Sequence, residues 1–268
     1  MKKPLVSIII TCYNLGEYLE EAIDSIKEYP NRDDYEIILV NDGSTDTKTN
    51  TILESIVLND KTIQYINQSN LGLAKARNNG IKQAKGEYII PLDADNKLRP
   101  EFIGQTISVL DNNKNIHVIH GNAQNFGNKT TIWKSKPFYF PEMLLNNYID
   151  ACAGFRKSAW ERLGGYDENM PVMGFEDWDM WLRMGNAGCK FEYVNEIFFD
   201  YRVRDNSMLA DAWKKRKVLL DYIFNKKELK HLGLFREFVI DNQRLKEEPS
   251  FAFLIKTIVK KVKRKLHF

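Results

Sequence analysis

The sequence contains few cysteines and no long apolar run. Only three of its 268 residues are cysteines, Cys12, Cys152 and Cys189, and their spacing matches no metal-binding pattern. An odd number of cysteines without such spacing argues against a disulfide framework and a zinc site, and is typical of a reducing compartment. No run of 18 apolar residues occurs, so the sequence predicts no membrane-spanning helix. These absences favour a cytoplasmic protein.

Several common nucleotide-binding and catalytic motifs are also missing. The sequence has neither the Gly-x-Gly-x-x-Gly fingerprint of dinucleotide-binding proteins nor a P-loop. None of its four histidines accompanies a nucleophile elbow, so a Ser-His-Asp hydrolase is not indicated.

The composition is that of a globular protein, and its charge is unevenly distributed. Hydrophobic residues make up 43% and charged residues 28%, which fits one large domain, with or without a modest appendage. The net charge is +3, but residues 251–268 carry five lysines, one arginine and no acid, which leaves −3 for the first 250 residues. A mildly acidic body disfavours nucleic-acid binding, whereas a basic apolar tail is typical of a helix on a membrane surface.

Short β-rich runs alternate with helical patterns in the first third of the chain. The pattern predicts strands at 5–10, 35–40, 63–66 and 87–92, and helices at 17–27, 47–58 and 73–84. Three successive β–α units predict a doubly wound α/β sheet of parallel strands.

The pattern loosens after Pro100. We expect helices at 102–110, 159–163 and 178–187, strands at 116–119 and 191–201, and a loop or hairpin over 122–141. From Met208 the chain is predicted to be helical, with breaks near Gly233 and Pro249.

Polar side chains follow three of the predicted parallel strands. They are Thr11, Tyr13, Asn14, Asp42, Asp93 and Asp95. Ligands of such sheets bind beyond the carboxyl ends of the strands, where these residues converge. Asp-x-Asp alone is unspecific, since it recurs at Asp177 and Asp179, and an isolated copy is more often a turn or a helix cap. Directly after a buried strand, however, two carboxylates suit Mg²⁺ or Mn²⁺ shared with a substrate diphosphate.

Four motifs that follow one another along the chain give the most specific signal in the sequence. They are residues 6–14 (VSIIITCYN), 40–46 (VNDGSTD), 70–80 (NLGLAKARNNG) and 92–95 (LDAD). Together they resemble the GT-A nucleotide-sugar glycosyltransferases of family 2, which are inverting enzymes. Residues 164–168 (GGYDE) and 176–183 (EDWDMWLR) resemble acceptor-side motifs of that family, so the resemblance covers about residues 4–205.

The resemblance implies a nucleotide-sugar site at the end of the sheet. Thr11 and Tyr13 would frame the base, with Asn14 beside them, and Asp42 would accept a hydrogen bond from a ring N–H of the base. Uracil and thymine offer that donor, which favours UDP or dTDP and leaves GDP open.

The same resemblance assigns the phosphate end of this site. Arg77 would lie near the phosphates or under the nucleotide pocket, the alternative being a salt bridge on a helix surface. Asp93 would contact the ribose side, Ala94 would line the donor site, and Asp95 would ligate Mn²⁺ or Mg²⁺.

On the acceptor side, the resemblance implies that Asp177 is the general base, with Glu176 and Asp179 close enough in sequence to be confused with it. Gly154 would lie in a small-residue segment under the acceptor sugar. Trp178 would also lie on this side, although its helical spacing with Trp181 indicates core packing. These acids have an alternative explanation without catalysis: acidic side chains in the first turn of a helix are stabilised by the helix dipole.

The segment 201–207 (YRVRDNS) resembles a late family segment in which many members carry a histidine near the metal or phosphates. Arg204 and Asp205 stand in that neighbourhood here, so a third protein ligand to the metal is not predicted. Arg202 or Arg204 could instead neutralise the leaving diphosphate.

We therefore predict a GT-A domain over 1–205, with a nucleotide-sugar part (1–98) and an acceptor part with a mixed sheet (99–205). Helices at 206–268 would follow, ending in the basic amphipathic tail. The tail could lie on an anionic membrane, which would place the enzyme at its inner face, or pack on the domain or a dimer partner. The Gln-x-x-Arg-Trp motif of processive synthases is absent, so we expect one or a few sugars to be added per encounter.

The implied function is metal-dependent, inverting sugar transfer from a nucleoside diphosphate to a hydroxyl of a glycan or lipid-linked acceptor, in surface polysaccharide or glycoconjugate synthesis. Two alternatives remain open at this point. One is a catalytically inactive scaffold that binds a nucleotide sugar. The other is a sugar-nucleotide pyrophosphorylase, which would need a Gly-rich activating loop that residues 11–16 lack.

Overall fold

The computed structural model describes residues 3–205, 208–247 and 258. Its first half contains four parallel strands, β1 (Val6–Cys12), β2 (Tyr35–Asp42), β3 (Ile63–Gln68) and β4 (Tyr88–Asp93), in the order β3-β2-β1-β4. The predicted doubly wound arrangement is confirmed.

Helices cover both faces of these strands. Successive side chains of a strand point to opposite faces, so Ile9 packs with α3 (Leu73–Gln83), while Ile8 and Ile10 pack with α1 (Gly16–Lys27) and α2 (Thr47–Asn59). Every residue of β1 is buried. The two faces therefore explain why the strand is an unbroken apolar run rather than an alternating one.

The second half extends the same sheet and makes it mixed. Its strands are β5 (Lys97–Leu98), β6 (Ile116–Gly127), β7 (Ile132–Trp133), β8 (Gly154–Arg156) and β9 (Lys190–Val203). The order continues from β4 as β8-β6-β9-β5, with β8 antiparallel to both neighbours and β6 parallel to β9. The helices of this half are α4 (Pro100–Asn112), α5 (Phe140–Met143), α6 (Lys157–Arg162) and α7 (Glu176–Asn186). The mixed sheet predicted for this part of the chain is confirmed.

The region predicted as a loop or hairpin contains a hairpin. Strand β6 runs eight residues beyond the predicted end at 119, and β7 pairs with it antiparallel. Asn125, within this extension, lines a cavity described below.

In the described part of the C-terminal region, three helices follow the sheet: α8 (Met208–Lys214), α9 (Arg216–Asn225) and α10 (Lys230–Glu247). The break predicted near Gly233 lies slightly earlier, between α9 and α10, and Gly233 itself is in the first turn of α10. A Cβ there would lie 3.4 Å from Phe224 Cβ, an ordinary van der Waals contact. Pro249 and most of the basic tail lie outside the described residues. Within the described ranges, no helix is long and apolar enough to cross a bilayer.

Candidate active site

A cavity of about 890 Å³ opens at the carboxyl ends of β1, β2 and β4 and is completed by α7, β9 and α8. Strand pairing brings its walls together, because Thr11 lies opposite both Val40 and Asp93 in the sheet. The predicted site residues that line it are Thr11, Tyr13, Asp42, Arg77, Asp93, Asp95, Glu176, Asp177 and Trp178.

Three predicted site residues do not line this cavity. Asn14 has a positive φ of 54°, and its side-chain Oδ1 accepts hydrogen bonds from the backbone N–H groups of Thr45 and Asp46. Ala94 is buried in the core, and Gly154 lies within β8, where a Cβ would collide with Thr106 and Ile119. In this structure these residues support the loops and strands around the site.

The end of the cavity at β1 and β2 offers polar atoms next to an aromatic ring. The carboxylate of Asp42 accepts hydrogen bonds from the Gln68 side chain and from the backbone N–H groups of Leu71 and Gly72, at 2.8–2.9 Å. The buried hydroxyl of Thr11 makes no hydrogen bond within the described chain, and the Tyr13 ring is 42% exposed. Asp42 thus holds the 68–72 loop and retains one lone pair for a further donor.

Arg77 lies beneath the cavity. Its guanidinium is 1% exposed and donates to Asp93 Oδ1 at 2.7 Å and to Glu176 Oε1 at 2.8 Å. The alternative of a helix-surface salt bridge is wrong, because α3 directs this side chain inward between the sheet and α7. The pair of contacts links β4, in the first half of the chain, to α7, in the second half.

Asp95 is partnered by the end of β9. Arg204 Nε donates to Asp95 Oδ2 at 2.7 Å, and Arg202 Nε donates to the Asp95 carbonyl at 2.9 Å. Burial and the neighbouring Asp93 raise the pKa of Asp95, and Arg204 opposes them. No cluster of three or more His, Cys, Asp or Glu suited to a metal occurs among the residues described.

The acidic cluster at the start of α7 separates into three environments. Glu176 is engaged through both oxygens, by Arg77 and by the Gly174 N–H at 2.6 Å. Asp179 is fully buried, pairs with Arg183 and Lys226, and does not line the cavity. Asp177 lines the cavity and forms no ion pair in the described ranges.

Asp177 is held by uncharged donors. Trp178 N–H donates to its Oδ1 at 2.7 Å and the Asn147 amide donates to its Oδ2 at 3.0 Å. Burial raises the pKa of Asp177 well above the ordinary range, Glu176 and Asp150 add to this, and Arg77 opposes it. A carboxylate with a raised pKa is a stronger base than an exposed one.

Trp178 is a core residue that contributes to the cavity wall. It is 1% exposed, its indole N–H donates to the Met143 carbonyl at 2.7 Å, and its ring packs against Phe175. The helical spacing therefore predicted its packing correctly.

Several other residues that line the cavity were not identified from the sequence. They are Asn147, Trp133, Tyr201, Met208, Leu209 and Trp213. Asp150 also lines the cavity, and burial, Asp93 and Glu176 raise its pKa to about 7. These residues come from α8, β7, β9 and the loop before β8, and no local pattern signals that such distant segments meet.

Comparison with known proteins agrees with this architecture. Residues 7–166 match the family model described as glycosyl transferase family 2, and residues 143–205 match one described as the N-terminal domain of galactosyltransferase. The glycosyltransferase GlyG of Streptococcus pneumoniae is 32% identical over 76% of this chain and 73% of its own length. A chondroitin synthase of Escherichia coli is 29% identical over 74% of this chain, which spans only 29% of that synthase.

Solved structures share the fold at low sequence identity. Staphylococcus aureus TarS in complex with UDP superimposes with a TM-score of 0.62 at 19% identity, over 86% of this chain and 68% of that one. The mannosyltransferase PcManGT from Pyrobaculum calidifontis, in complex with GDP-Man and Mn²⁺, has a TM-score of 0.62 at 20% identity, over 84% and 64% of the two chains.

The family match covers more than half of the chain, and the sheet, its order and the cavity at its edge agree with it. The chain belongs to glycosyl transferase family 2 and is a glycosyltransferase with the GT-A fold.

Proposed function

We propose that this protein is a metal-dependent inverting glycosyltransferase in which Asp177 is the general base. It transfers a sugar from a nucleoside diphosphate, with UDP or dTDP favoured, to a hydroxyl of a glycan or lipid-linked acceptor in surface polysaccharide or glycoconjugate synthesis. The observation that carries the proposal is the environment of Asp177. Of the three acids at the start of α7, it alone lines the cavity without a cationic partner in the described ranges.

Inversion requires the acceptor hydroxyl to attack the anomeric carbon on the side opposite the leaving diphosphate. Asp177 and Asp95 both line the cavity but reach it from different elements, α7 and the turn after β4. A carboxylate that removes the hydroxyl proton as the new bond forms lowers the barrier by general base catalysis.

The donor site is proposed at the ends of β1, β2 and β4. The buried Thr11 hydroxyl, which has no hydrogen-bond partner among the residues described, would face the nucleobase together with the half-exposed Tyr13 ring and a lone pair of the Asp42 carboxylate. The complexes of TarS with UDP and UDP-GlcNAc and of PcManGT with GDP-Man support a nucleotide sugar as the donor. Which nucleobase the donor carries is left to experiment.

The residues of the site fit Mn²⁺ or Mg²⁺ held largely by the substrate. Asp95 is a partly desolvated carboxylate whose pKa is raised by burial and by Asp93, and a dication would relieve that repulsion. These hard ions commonly take one or two carboxylates and complete their coordination with phosphates and water. When bound, the ion would neutralise charge on the leaving diphosphate, beside Arg204.

We further propose that the basic tail holds the enzyme near an anionic membrane that carries its acceptor. The proposal rests on the sequence of residues 251–268, most of which lie outside the described ranges, and on the five lysines and one arginine there.

A thermal-shift panel of UDP, dTDP, GDP and CDP, each with and without Mn²⁺, tests the donor site. A ligand at about 100 times its Kd adds about 2.7 kcal/mol to the free energy of unfolding. We expect one diphosphate to raise Tm only with Mn²⁺, and the Asp95→Ala variant to lose this effect. If no nucleotide changes Tm, the donor site is wrongly assigned.

Release of nucleoside diphosphate from UDP-glucose, UDP-galactose, UDP-GlcNAc and GDP-mannose tests the assignment of Asp177 as the general base. We expect Asp177→Asn to lower kcat by about 10²–10⁴-fold without changing the nucleotide-dependent Tm shift. Asp179→Asn is a poor control because that residue is buried in ion pairs; the exposed Asp33→Asn should keep wild-type activity. If the wild type binds nucleotide but transfers sugar to neither water nor any acceptor offered, a binding scaffold becomes the better assignment.

A further inference from the structure

Asn147 lies in the loop between α5 and β8 and contacts the proposed base. Its amide Nδ2 donates to Asp177 Oδ2 at 3.0 Å, and both side chains line the cavity. We infer that Asn147 is a positioning residue, which orients the Asp177 carboxylate and favours its charged, proton-accepting form. The inference rests on the proposed function, because it presupposes that Asp177 is the base.

The orientation of the Asn147 amide is set by the backbone. Its Oδ1 accepts a hydrogen bond from the Ile149 N–H at 3.2 Å, so its NH₂ group points towards Asp177. An amide whose oxygen is engaged in this way can only donate to the carboxylate. The loop thus presents a donor, rather than a second acceptor, to the base.

The hydrogen bond from Asn147 complements a second one. Trp178 N–H, in the first turn of α7, donates to Asp177 Oδ1 at 2.7 Å. With one donor on each oxygen the plane of the carboxylate is defined, and each oxygen keeps a second lone pair for the proton of an acceptor hydroxyl. A base with a fixed direction contributes more to catalysis than one that must be ordered in the transition state.

The charges around Asp177 make this donor important. Glu176 on the same helix and Asp150 on the loop before β8 disfavour its charged form, whereas Arg77 on α3 favours it. Tyr166 and the β9 residue Tyr201 also face it, both as neutral phenols with raised pKa values. A hydrogen bond to the charged form lowers the pKa of a carboxylic acid. Asn147 therefore counteracts burial and the two neighbouring carboxylates.

The loop has other attachments, so Asn147 can be replaced without releasing it. Arg216 Nη2 donates to the Leu145 carbonyl at 2.7 Å, and the Trp181 indole donates to the Ile149 carbonyl at 3.1 Å. Tyr148 OH accepts from the Tyr139 N–H at 2.7 Å. We therefore expect substitutions at Asn147 to leave the fold intact.

The test is the pH dependence of kcat for diphosphate release from the sugar nucleotide that the panel above identifies. Asn147→Ala should lower kcat at neutral pH by about 10–100-fold, the range for a lost hydrogen bond to a charged group. Its acid limb should move to higher pH, so the ratio of its kcat to that of wild type should fall as pH falls. KM for the donor should be unchanged, because Asn147 acts through Asp177.

The Asn147→Asp variant has a side chain of nearly the same size and should change the pH dependence of kcat in the opposite direction. It keeps an acceptor for the Ile149 N–H but places a carboxylate against Asp177, which removes the donor while both acids are ionised. Lowering the pH puts a shared proton between them and restores a donor, so its kcat relative to wild type should rise as pH falls. The neighbouring exposed Asn146→Ala should show a wild-type profile.

The inference would be overturned if kcat depended on pH in the same way in the wild type and both Asn147 variants, or if the substitutions changed only KM. Either result would leave the proposed function in place. The Asp177→Asn variant identifies the other kind of failure. If it turns over as fast as the wild type, or if the wild type itself releases no diphosphate, the proposed base is lost and the role of Asn147 with it.

Discussion

At the scale of single residues, the site is a set of carboxylates distinguished by their partners. Asp93 and Glu176 share the buried Arg77, Asp95 has Arg204, and Asp177 has two uncharged donors. Replacing a paired buried acid leaves an uncompensated cation, and replacing Arg77 leaves two uncompensated acids. Catalysis and stability can therefore be separated by choosing which carboxylate to change.

Asp150 gives the molecule a pH-dependent contribution to stability. Burial, with Asp93 and Glu176, raises its pKa from the ordinary 3.8 to about 7, so the folded chain binds this proton more tightly than the unfolded chain does. The contribution of Asp150 to the free energy of unfolding is therefore largest below about pH 4 and declines as pH rises towards about 7.

We expect the Asp150→Asn variant, which cannot ionise, to escape this decline. Equilibrium urea unfolding of both proteins between pH 5 and pH 8 measures it. The free energy of unfolding of the wild type minus that of the variant should fall as pH rises. A difference independent of pH would contradict the assignment of a raised pKa to Asp150.

At the scale of elements, α3 connects the sheet to the site. It carries Arg77 and packs on β1 and β2 through Gly80, where a Cβ would lie 2.5 Å from Ile9 Cγ2 and 3.1 Å from Val40 Cγ2. The helix therefore lies close to the sheet at the turn next to Arg77. Its distance from the sheet determines where the guanidinium meets Asp93 and Glu176.

Gly80→Ala should move this helix. Overpacking a core by a methyl group costs about 1–3 kcal/mol, against about 0.5–1 kcal/mol gained by alanine over glycine within a helix. We expect a net loss of about 1–2 kcal/mol in the free energy of unfolding, measured by urea denaturation. Gly104→Ala in α4 is the matched control, since a Cβ there meets Tyr29 at 3.5 Å, an ordinary contact. It should be neutral or stabilising, and equal losses in both variants would show that packing of α3 is not the cause.

At the scale of the whole molecule, the C-terminal helices share a core with the sheet. Leu219 and Ile223 of α9 and Ala212 of α8 are fully buried in the same cluster as Trp178 and Phe155. Met208, Leu209 and Trp213 of α8 also line the cavity. The helices are therefore part of the structure that forms the cavity.

Leu219→Ala should consequently destabilise the whole molecule. Loss of a buried leucine side chain costs about 2–5 kcal/mol. The loss should appear in a single transition when tryptophan fluorescence and far-UV circular dichroism are followed together. The adjacent Val218 is 54% exposed, so Val218→Ala should remain within about 0.5 kcal/mol of the wild type. Two separate transitions, with only one displaced by Leu219→Ala, would show that the helices unfold independently.

Much of the first half could be predicted from the sequence, because its signals are local. Buried parallel strands are short apolar runs, their helices have amphipathic spacing, and Asp42 and Asp93 are the last residues of their strands. Strand order then brings these ends to one edge of the sheet. That is why Thr11, Asp42, Asp93 and Asp95 were assigned to one cavity from the sequence and are found lining it.

The cavity wall formed by β7, β9, α8 and the loop before β8, and the partners of each carboxylate, depended on the tertiary structure. Glu176, Asp177 and Asp179 have the same chemistry and lie within four residues, so their sequence does not distinguish them. They differ because α7 directs one towards Arg77, one towards Asn147 and the cavity, and one towards Arg183 and Lys226. By itself the sequence determined the successive β–α units of the first half and the edge where polar residues gather, since these follow from local periodicity, whereas the strand order came from the folded chain. Only the packing of distant segments decided which acid is neutralised and which remains available as a base, because burial and charge pairing are properties of the folded chain.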